Sequence, residues 1–444
     1  MDMQSEGMEV SLSGSSGPER AKRILKQVFR DYGGGLAVRL WDGDTLRLGR
    51  GLPAATLVFH HPRALRELIL FRDPLRLAEA HFQGLVSVEG SIYDILNLKH
   101  HFHSLSLAAS EKLSILASAL MLGSGPRSGE GEAEVQKWST PLSAWFARRN
   151  TKELNRKAIA FHYDVSNDFY RLWLDERMVY SCAYFNHAGE SLEQAQENKL
   201  EHICRKLRLK PGERLLDIGC GWGALLRWAA ANHGVRAHGV TLSRRQYEHN
   251  LAKIREDGLE GWVSVELRDY RDLEGEAVFD KVVSVGMFEH VGLKNLPVYF
   301  ATAHRLLKPG GLFLNHGITH DEEGWHKTVS TRFINRYVFP DGELDTVSNV
   351  QRETERAGFE IHDVEGLRPH YALTLRQWVR RLEEREEEAR QHVSEAAYRV
   401  WRLYMAACAL QFEEGDVGVY QILASKRCMG LNPVPLTRQD IYAA

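Results

Sequence analysis

No run of about eighteen apolar residues occurs in this 444-residue chain, so no membrane-spanning helix is expected. Met1–Pro18 has no apolar segment of the kind a secretion signal needs, and a cytoplasmic location is expected. Cysteine is sparse. Cys182, Cys204, Cys220, Cys408 and Cys428 are an odd set without a C-x-x-C pair, which argues against a disulfide framework or a zinc knuckle. Twenty histidines include the pairs His60-His61 and His100-His101, yet no H-E-x-x-H or similar ligand spacing accompanies them, so no metal site is expected. A net charge of −2 leaves no global basic surface for nucleic acid. What is present, 43% hydrophobic and 26% charged residues, is the composition of a globular protein with room for two or three domains.

Residues 1–18 have the Ser/Gly/Glu-rich composition of a disordered tail. Residues 19–122 form a separate α+β segment. Leu36–Trp41 and Thr45–Leu48, joined through Asp42-Gly43-Asp44, read as a hairpin. Ala55–Phe59 and Gly84–Gly90 read as two further strands, and Pro62–Leu70, Pro74–His81 and Ile92–Leu98 as helices. No catalytic spacing appears there; the segment is either a lipid- or partner-facing module or a structural accessory. A Gly/Ser/Glu-rich linker over 123–138 precedes a second domain, 139–435. That domain opens with a helix over Ser143–Ile159, the aromatic stretch Phe161–Tyr170, and Tyr180–Phe185.

From Leu215 onward short apolar runs alternate with helical segments. Strands are expected at Leu215–Ile218, Ala237–Thr241, Val263–Leu267, Phe279–Val285 and Leu312–His316. Four crossovers of this type predict a doubly wound, mostly parallel α/β sheet with ligand groups just beyond the strands' carboxyl ends. A polar insertion over Trp325–Asp345, a long charged helix over Leu375–Ala407 and an antiparallel edge strand over Gly418–Lys426 complete the domain.

The first strand runs into Asp217-Ile218-Gly219-Cys220-Gly221-Trp222-Gly223. Glycines at 219, 221 and 223 permit a tight turn and let a ligand approach the main chain without meeting a Cβ. The G-x-G-x-G spacing is neither the dinucleotide fingerprint nor a P-loop, so S-adenosylmethionine (SAM), which carries no phosphate, is preferred over a pyrophosphate ligand. An ordinary tight βα connection is the plainer alternative. The second strand ends without a carboxylate, leaving Thr241 and Gln246 to supply polar contacts, while Asp269 and Tyr270 after the third can flank an adenine. Glu289, framed by Met287 and Phe288, could be a helix N-terminal charge, and His316 a satisfied structural histidine. Both, however, fall at adjacent strand ends, so the fold brings them near one another.

Tyr180–Phe185, the glycine turn, Gly239–Ser243, Met287–Gly292 and Gln411–Glu413 through Gln421, in that order, resemble the cyclopropane-fatty-acyl-phospholipid synthases and mycolic acid cyclopropane synthases. The resemblance runs from about residue 140 to 430. It implies a Rossmann-like class I SAM methyltransferase domain beside the small N-terminal one. Tyr180, Ser181, Asp217, Gly219, Gly221, Gly223, Thr241, Leu242, Gln246, Asp269 and Tyr270 would hold SAM. Cys182, Glu289, His316, the main chain at Ile318, and Tyr371 would surround a bicarbonate ion. Cys408 stands where the family has a cysteine once regarded as catalytic, although a thiolate has no clear task in the reaction. The Phe339–Asp345 loop departs from the family pattern at Asp341 and Asp345. A homodimer is also implied.

The chemistry so implied is methyl transfer to the cis double bond of a phospholipid acyl chain at a membrane surface. The resulting carbocation needs a dry, aromatic pocket, for which Tyr163, Phe169, Tyr184, Phe288, Tyr337 and Phe339 are candidates. Bicarbonate would then remove a proton from the added methyl and close the ring. Glu289 beside an anion requires a shared proton, hence a raised pKa. Three other outcomes remain: a methyl- or methylene-branched chain, methylation of a small soluble nucleophile, and a non-catalytic lipid-binding protein. Peripheral membrane docking through Arg20–Arg30 or Arg376–Arg381 is expected.

Overall fold

The computed structural model describes residues 16–71, 73–123, 166–322, 328–338, 343–430 and 432–442. The helix expected over 143–159, the stretch 161–165 with Tyr163, most of the linker, and Phe339 to Gly342 lie outside the described residues. Two compact units emerge, one carried mainly by residues 16–123 and one mainly by residues from 166 onward.

In the first unit, helix α1 (Gly17–Val28) precedes strands β1 (Gly35–Arg39), β2 (Thr45–Gly49) and β3 (Ala55–Phe59). Helices α2 (Pro62–Phe71) and α3 (Pro74–Phe82), strand β4 (Val86–Gly90) and helices α4 (Ile92–Ser104) and α5 (Ala109–Leu120) follow. The sheet order is β2-β1-β3-β4, with β1 and β2 in the expected antiparallel hairpin. Helix α4 runs six residues beyond the expected end at Leu98, and α5 was not anticipated. Ala21, Ile24 and Leu25 turn one face of α1 into this unit's core. Lys22 pairs with Glu19 and Asp44, and Arg30 with Asp31 and Glu111, so acidic neighbours absorb part of the basic charge assigned to docking.

The second unit continues with α6 (Asn167–Arg171), α7 (Leu192–Leu207), β5 (Arg214–Ile218), α8 (Ala224–His233), β6 (Arg236–Thr241), α9 (Arg244–Glu256), β7 (Val263–Leu267) and β8 (Phe279–Val285). Then come α10 (Leu296–Leu306), β9 (Leu307–His320), α11 (Val329–Tyr337), α12 (Val347–Arg356) and β10 (Phe359–Gly366). Helices α13 (Arg368–Glu384), α14 (Glu386–His392) and α15 (Glu395–Glu414), strand β11 (Val417–Lys426) and α16 (Gln439–Tyr442) complete the chain. The seven-stranded sheet has the order β10-β11-β9-β8-β5-β6-β7. Its five strands from β9 to β7 are mutually parallel, and β11 and β10 are antiparallel additions. Both faces are covered: neighbours in sequence such as Leu215 and Leu216, or Val283 and Val282, enter opposite cores. Alternation between two buried faces is why these strands read as continuous apolar runs.

Two expectations are corrected. Strand β11 is not the edge, because β10 pairs along its outer side. A register shift between Ile361 and Asp363 breaks the two-residue alternation of β10, and with it the sequence signal. The long helix expected over 375–407 is divided among α13, α14 and α15, with non-helical backbone at Arg385 and extended backbone at Val393; neither glycine nor proline marks these breaks. Within α13, Arg376 pairs with Glu413, Arg380 with Glu384, and Arg381 with Glu193.

Candidate active site

Strand β5 delivers Asp217 and Ile218 to the centre of the sheet, where the glycine turn begins. Gly219, Gly221 and Gly223 all have positive φ, at +85°, +53° and +75°, a region that L side chains avoid. A Cβ on Gly223 would sit 1.6 Å from Asn250 Oδ1, while Asn250 Nδ2 donates to Gly221 O at 2.8 Å. Residues 219 and 220 both donate their N–H groups to Val240 O at 3.0 Å. The turn is thus tied to β6 on one side and to α9 on the other.

This turn forms one wall of a cavity at the carboxyl ends of β5, β6, β7 and β8. Tyr180, Ser181, Asp217, Gly219, Gly221, Gly223, Thr241, Leu242, Gln246, Asp269 and Tyr270 all line it. Thr241 Oγ1 donates to Gln246 Oε1 at 2.8 Å, and Ser243 Oγ caps α9 by accepting from Gln246 N. Asp269 makes a two-point pair with Arg271 at 2.8 and 2.6 Å. Its carboxylate is therefore engaged in holding the Tyr270 turn. Asp217 is buried, and its Oδ1 has no hydrogen-bond partner. Burial pushes its pKa up to about 7 against the opposing charge of Lys199. A cavity with main chain exposed by glycines, an unpartnered acid and aromatic walls from Trp222 and Tyr270 fits a nucleoside joined to an amino acid.

The reading of the sequence missed Lys199, Trp222, Met287 and His290 in this lining. For Lys199 a signal existed. It falls on the stripe Leu192, Ala195, Gln196, Lys199, Leu200, Ile203, which α7 buries as a whole. A lysine in an apolar stripe is the anomaly to look for.

Glu289 sits in the short turn Phe288–His290 that follows β8. Met287 and His290, on either side of it, reach the cavity. Its Oε1 accepts from Ile318 N at 2.7 Å, whereas its Oε2 is buried without a partner. Burial, only partly offset by that main-chain bond, pushes the carboxyl up to about 7. The direction is as expected, and burial alone produces it. The Ile318 N–H expected to face an anion is thus already taken by Glu289. Gly317 makes room for the turn: a Cβ there would lie 2.1 Å from the Phe288 ring.

His316 is buried on β9 and receives a hydrogen bond at Nδ1 from Gln421 Nε2 at 3.1 Å. That places its ring proton on Nε2. Burial, reinforced by Lys199 and Lys206, lowers its pKa to about 3, so the ring is neutral at ordinary pH. Cross-strand register then carries the site sideways. Ile318 pairs with Val419 on β11, and Val419 O accepts from Leu367 N at 2.8 Å. Leu367 O receives both Tyr371 N at 3.2 Å and the Cys182 thiol at 3.8 Å. Main-chain pairing thus links the Glu289–Ile318 contact, through Val419 and Leu367, to the segment carrying Tyr371 and to the Cys182 thiol. Burial pushes the Cys182 thiol far up. Tyr371 packs edge-on to Trp378 and tilted against Phe412. A protonated Glu289 can donate from its unpartnered Oε2.

Not every candidate reaches these two regions. Cys408 lies beside Tyr404, and burial pushes its thiol up to about 12; it is no thiolate. Phe169 is wholly buried among Tyr170, Trp173 and Trp401. Tyr184 does not face an apolar wall: its ring is stacked between His202 and His370 at 4.3 and 4.7 Å, and its hydroxyl donates to Glu365. Phe288 and Tyr337 are buried. Asp345 accepts from Thr346 N and Asn349 Nδ2, which fixes the start of α12. No cluster of His, Cys, Asp and Glu that could hold a metal occurs among the described residues, and none of their helices is long and apolar enough to cross a membrane.

Residues 150–422 match the model of the mycolic acid cyclopropane synthetase family, and residues 21–108 that of a domain of unknown function. The chain is 39% identical over 410 residues to a probable fatty acid methyltransferase of Pseudomonas putida, covering 92% of this chain and 96% of that protein. It is 43% identical over 267 residues to the cyclopropane-fatty-acyl-phospholipid synthase of Escherichia coli K12, covering 60% of this chain and 66% of that protein. Among solved structures, mycolic acid cyclopropane synthase CmaA1 complexed with SAH and CTAB superposes with a TM-score of 0.58 at 34% identity, over 61% of this chain and 98% of that one.

Proposed function

Because this chain belongs to the mycolic acid cyclopropane synthetase family of SAM-dependent methyltransferases, we propose that it carries a methylene from SAM to the cis double bond of an unsaturated phospholipid acyl chain, with bicarbonate as the base. The observation that carries this reading is a carboxyl raised to about 7 by burial, Glu289, set between the cavity-lining Met287 and His290 just after β8, with the buried neutral imidazole of His316 on the adjacent strand β9. A methyltransferase acting on an amine or hydroxyl loses its one proton from nitrogen or oxygen, whereas ring closure needs that one proton removed from carbon in a water-poor site.

Bound against the glycine turn, the donor supplies an electrophilic sulfonium methyl. Met287, which lines the cavity beside Glu289, would present apolar surface to the reacting carbon, with the buried Phe288 behind it helping to exclude water that would quench a carbocation. Glu289, kept protonated by burial, and His316, with its proton held on Nε2 by Gln421, would bind bicarbonate through donated hydrogen bonds. Tyr371 would complete the ring of polar groups. An anion so held supplies the base, and a protonated Glu289 removes the like-charge conflict. The substrate would be met at a membrane surface, in the manner of a peripheral protein. A second reading, a methyl-branched product, draws support from the long, full-length similarity to the probable fatty acid methyltransferase.

Donor consumption in the presence of phospholipid vesicles tests the substrate class. Turnover with cis-unsaturated vesicles and none with saturated ones is expected. Turnover on soluble amines with none on either vesicle would overturn the proposal.

A further inference from the structure

The segment Glu343–Asp345, which leads into α12, is bonded to both strand ends that frame Glu289. Glu343 N donates to Glu289 O at 3.2 Å, and Glu343 Oε2 accepts from Leu293 N at 3.1 Å. One residue therefore grips the turn after β8 at two points, on either side of Gly292, whose φ is +79°. Leu293 opens the short turn Leu293–Asn295, and the leading N–H of such a turn finds no acceptor within it; Glu343 supplies one. Farther along, Asp345 O accepts from His320 N at 3.0 Å, at the end of β9. Ile318, whose N–H the Glu289 carboxyl holds, lies just before His320 on the same strand. The Asp345 carboxylate is itself fixed to α12 through Thr346 N and Asn349 Nδ2. The segment is thus a tie between the backbone that carries Glu289 and the backbone that Glu289 touches, anchored on a helix.

We propose that Glu343 is a positioning residue for Glu289, its main chain and carboxylate together holding the turn so that the Glu289 carboxyl stays against Ile318 and away from water. This rests on the reading of Glu289 as the acid of the proposed reaction. Glu289 Oε2 is buried without a partner, an arrangement that costs free energy and survives only where the backbone leaves the group no alternative. Ile318 N fixes one oxygen of that carboxyl, and Glu343 N fixes the main chain it hangs from. Without the Glu343 carboxylate the Leu293 N–H must turn to water, and water reaching the turn solvates the neighbouring acid as well. The other titratable groups about Glu289 leave this role to Glu343. Burial holds His290, on the same turn, down to about 4 and His316, on β9, down to about 3, and it raises Tyr299 on α10. All three are therefore neutral near pH 7.

Difference infrared spectra read the Glu289 proton without lipid or donor, as the carboxyl C=O band of the full chain minus that of the same chain carrying Glu289→Gln. In the parent the band should disappear with a midpoint at about pH 7. In Glu343→Ala the midpoint should fall by at least about one pH unit, a tenfold loss of proton affinity. Glu343→Gln keeps an oxygen for the Leu293 N–H and should stay within about 0.3 pH unit of the parent. Glu343→Asp keeps the charge but is a methylene too short, so it should follow Glu343→Ala, and it serves if that variant does not fold. A parent midpoint near the ordinary carboxyl value, or midpoints unchanged in both Glu343→Ala and Glu343→Asp, would overturn the proposal. So would an equal fall in Glu343→Gln and Glu343→Ala, which would assign the effect to charge and not to position. On cis-unsaturated vesicles kcat should follow the same order, falling roughly tenfold in Glu343→Ala while affinity for S-adenosylhomocysteine stays within about twofold. Absence of vesicle turnover in the parent would defeat the lipid assignment instead, and the infrared midpoints would still decide the role of Glu343.

Discussion

Replacing Glu289 by glutamine should make the protein more stable at high pH, and by a predictable amount. The folded protein holds the Glu289 proton up to about pH 7, whereas the unfolded chain releases it near 4.5. Between those values the native state binds more protons, so stability falls as pH rises, and the cost is complete only above the folded pKa. The full interval, at about 1.4 kcal/mol per factor of ten, is worth roughly 3 kcal/mol. About pH 5 to pH 8 spans some 2–3 kcal/mol of it. Glutamine keeps an oxygen for the Ile318 N–H and has no proton to lose, so it escapes this cost. Urea unfolding of parent and Glu289→Gln, followed by tryptophan fluorescence without donor, gives the difference at each pH and cancels every other titrating group. The variant's advantage should grow by about 2–3 kcal/mol from pH 5 to pH 8. A change under about 1 kcal/mol, or one in the opposite direction, would refute the buried-acid account of Glu289.

Three further outcomes are expected. Gly223→Ala puts a Cβ 1.6 Å from Asn250 Oδ1 at a φ of +75°; a loss of more than about 2 kcal/mol in unfolding free energy and of S-adenosylhomocysteine binding should follow, measured by denaturation and calorimetry. Gln421→Leu removes the donor to His316 Nδ1 and frees the choice of tautomer, so kcat on unsaturated vesicles should drop roughly 10- to 100-fold with donor binding intact. Cys408→Ser should retain turnover within about threefold, and iodoacetamide at about pH 8 should leave the parent active, because a thiol held up to about 12 has almost no thiolate there.

The legible parts of the sequence were those with a strong local period. Strands β5 to β8 announced themselves because apolar residues serve both faces of the sheet, and the glycine turn because its three positive-φ positions tolerate little else. The adjacency of the strand ends that carry Glu289 and His316 followed from strand order alone: β8 and β9 are neighbours, with Val285 paired to His316. What stayed hidden depends on tertiary placement. Strand β10 was concealed by its register shift at Ile361/Asp363, and the division of the long charged helix by breaks without glycine or proline. The imidazole sandwich around Tyr184 joins residues from α7 and α13 that no local pattern connects. Lys199 shows the intermediate case. Its helical stripe was visible, but only the cavity reveals that burial there places a cation against an unpartnered carboxylate.

The central claim is that the added carbon loses a proton and closes a ring. Incubation with cis-unsaturated phospholipid vesicles and methyl-deuterated SAM, followed by mass spectrometry of the acyl chains, addresses it most directly. The account predicts an added carbon bearing two deuterons, in a product that ozonolysis leaves uncleaved. Retention of all three deuterons would contradict it, identifying a methyl-branched chain and removing proton abstraction from the Glu289–His316 site.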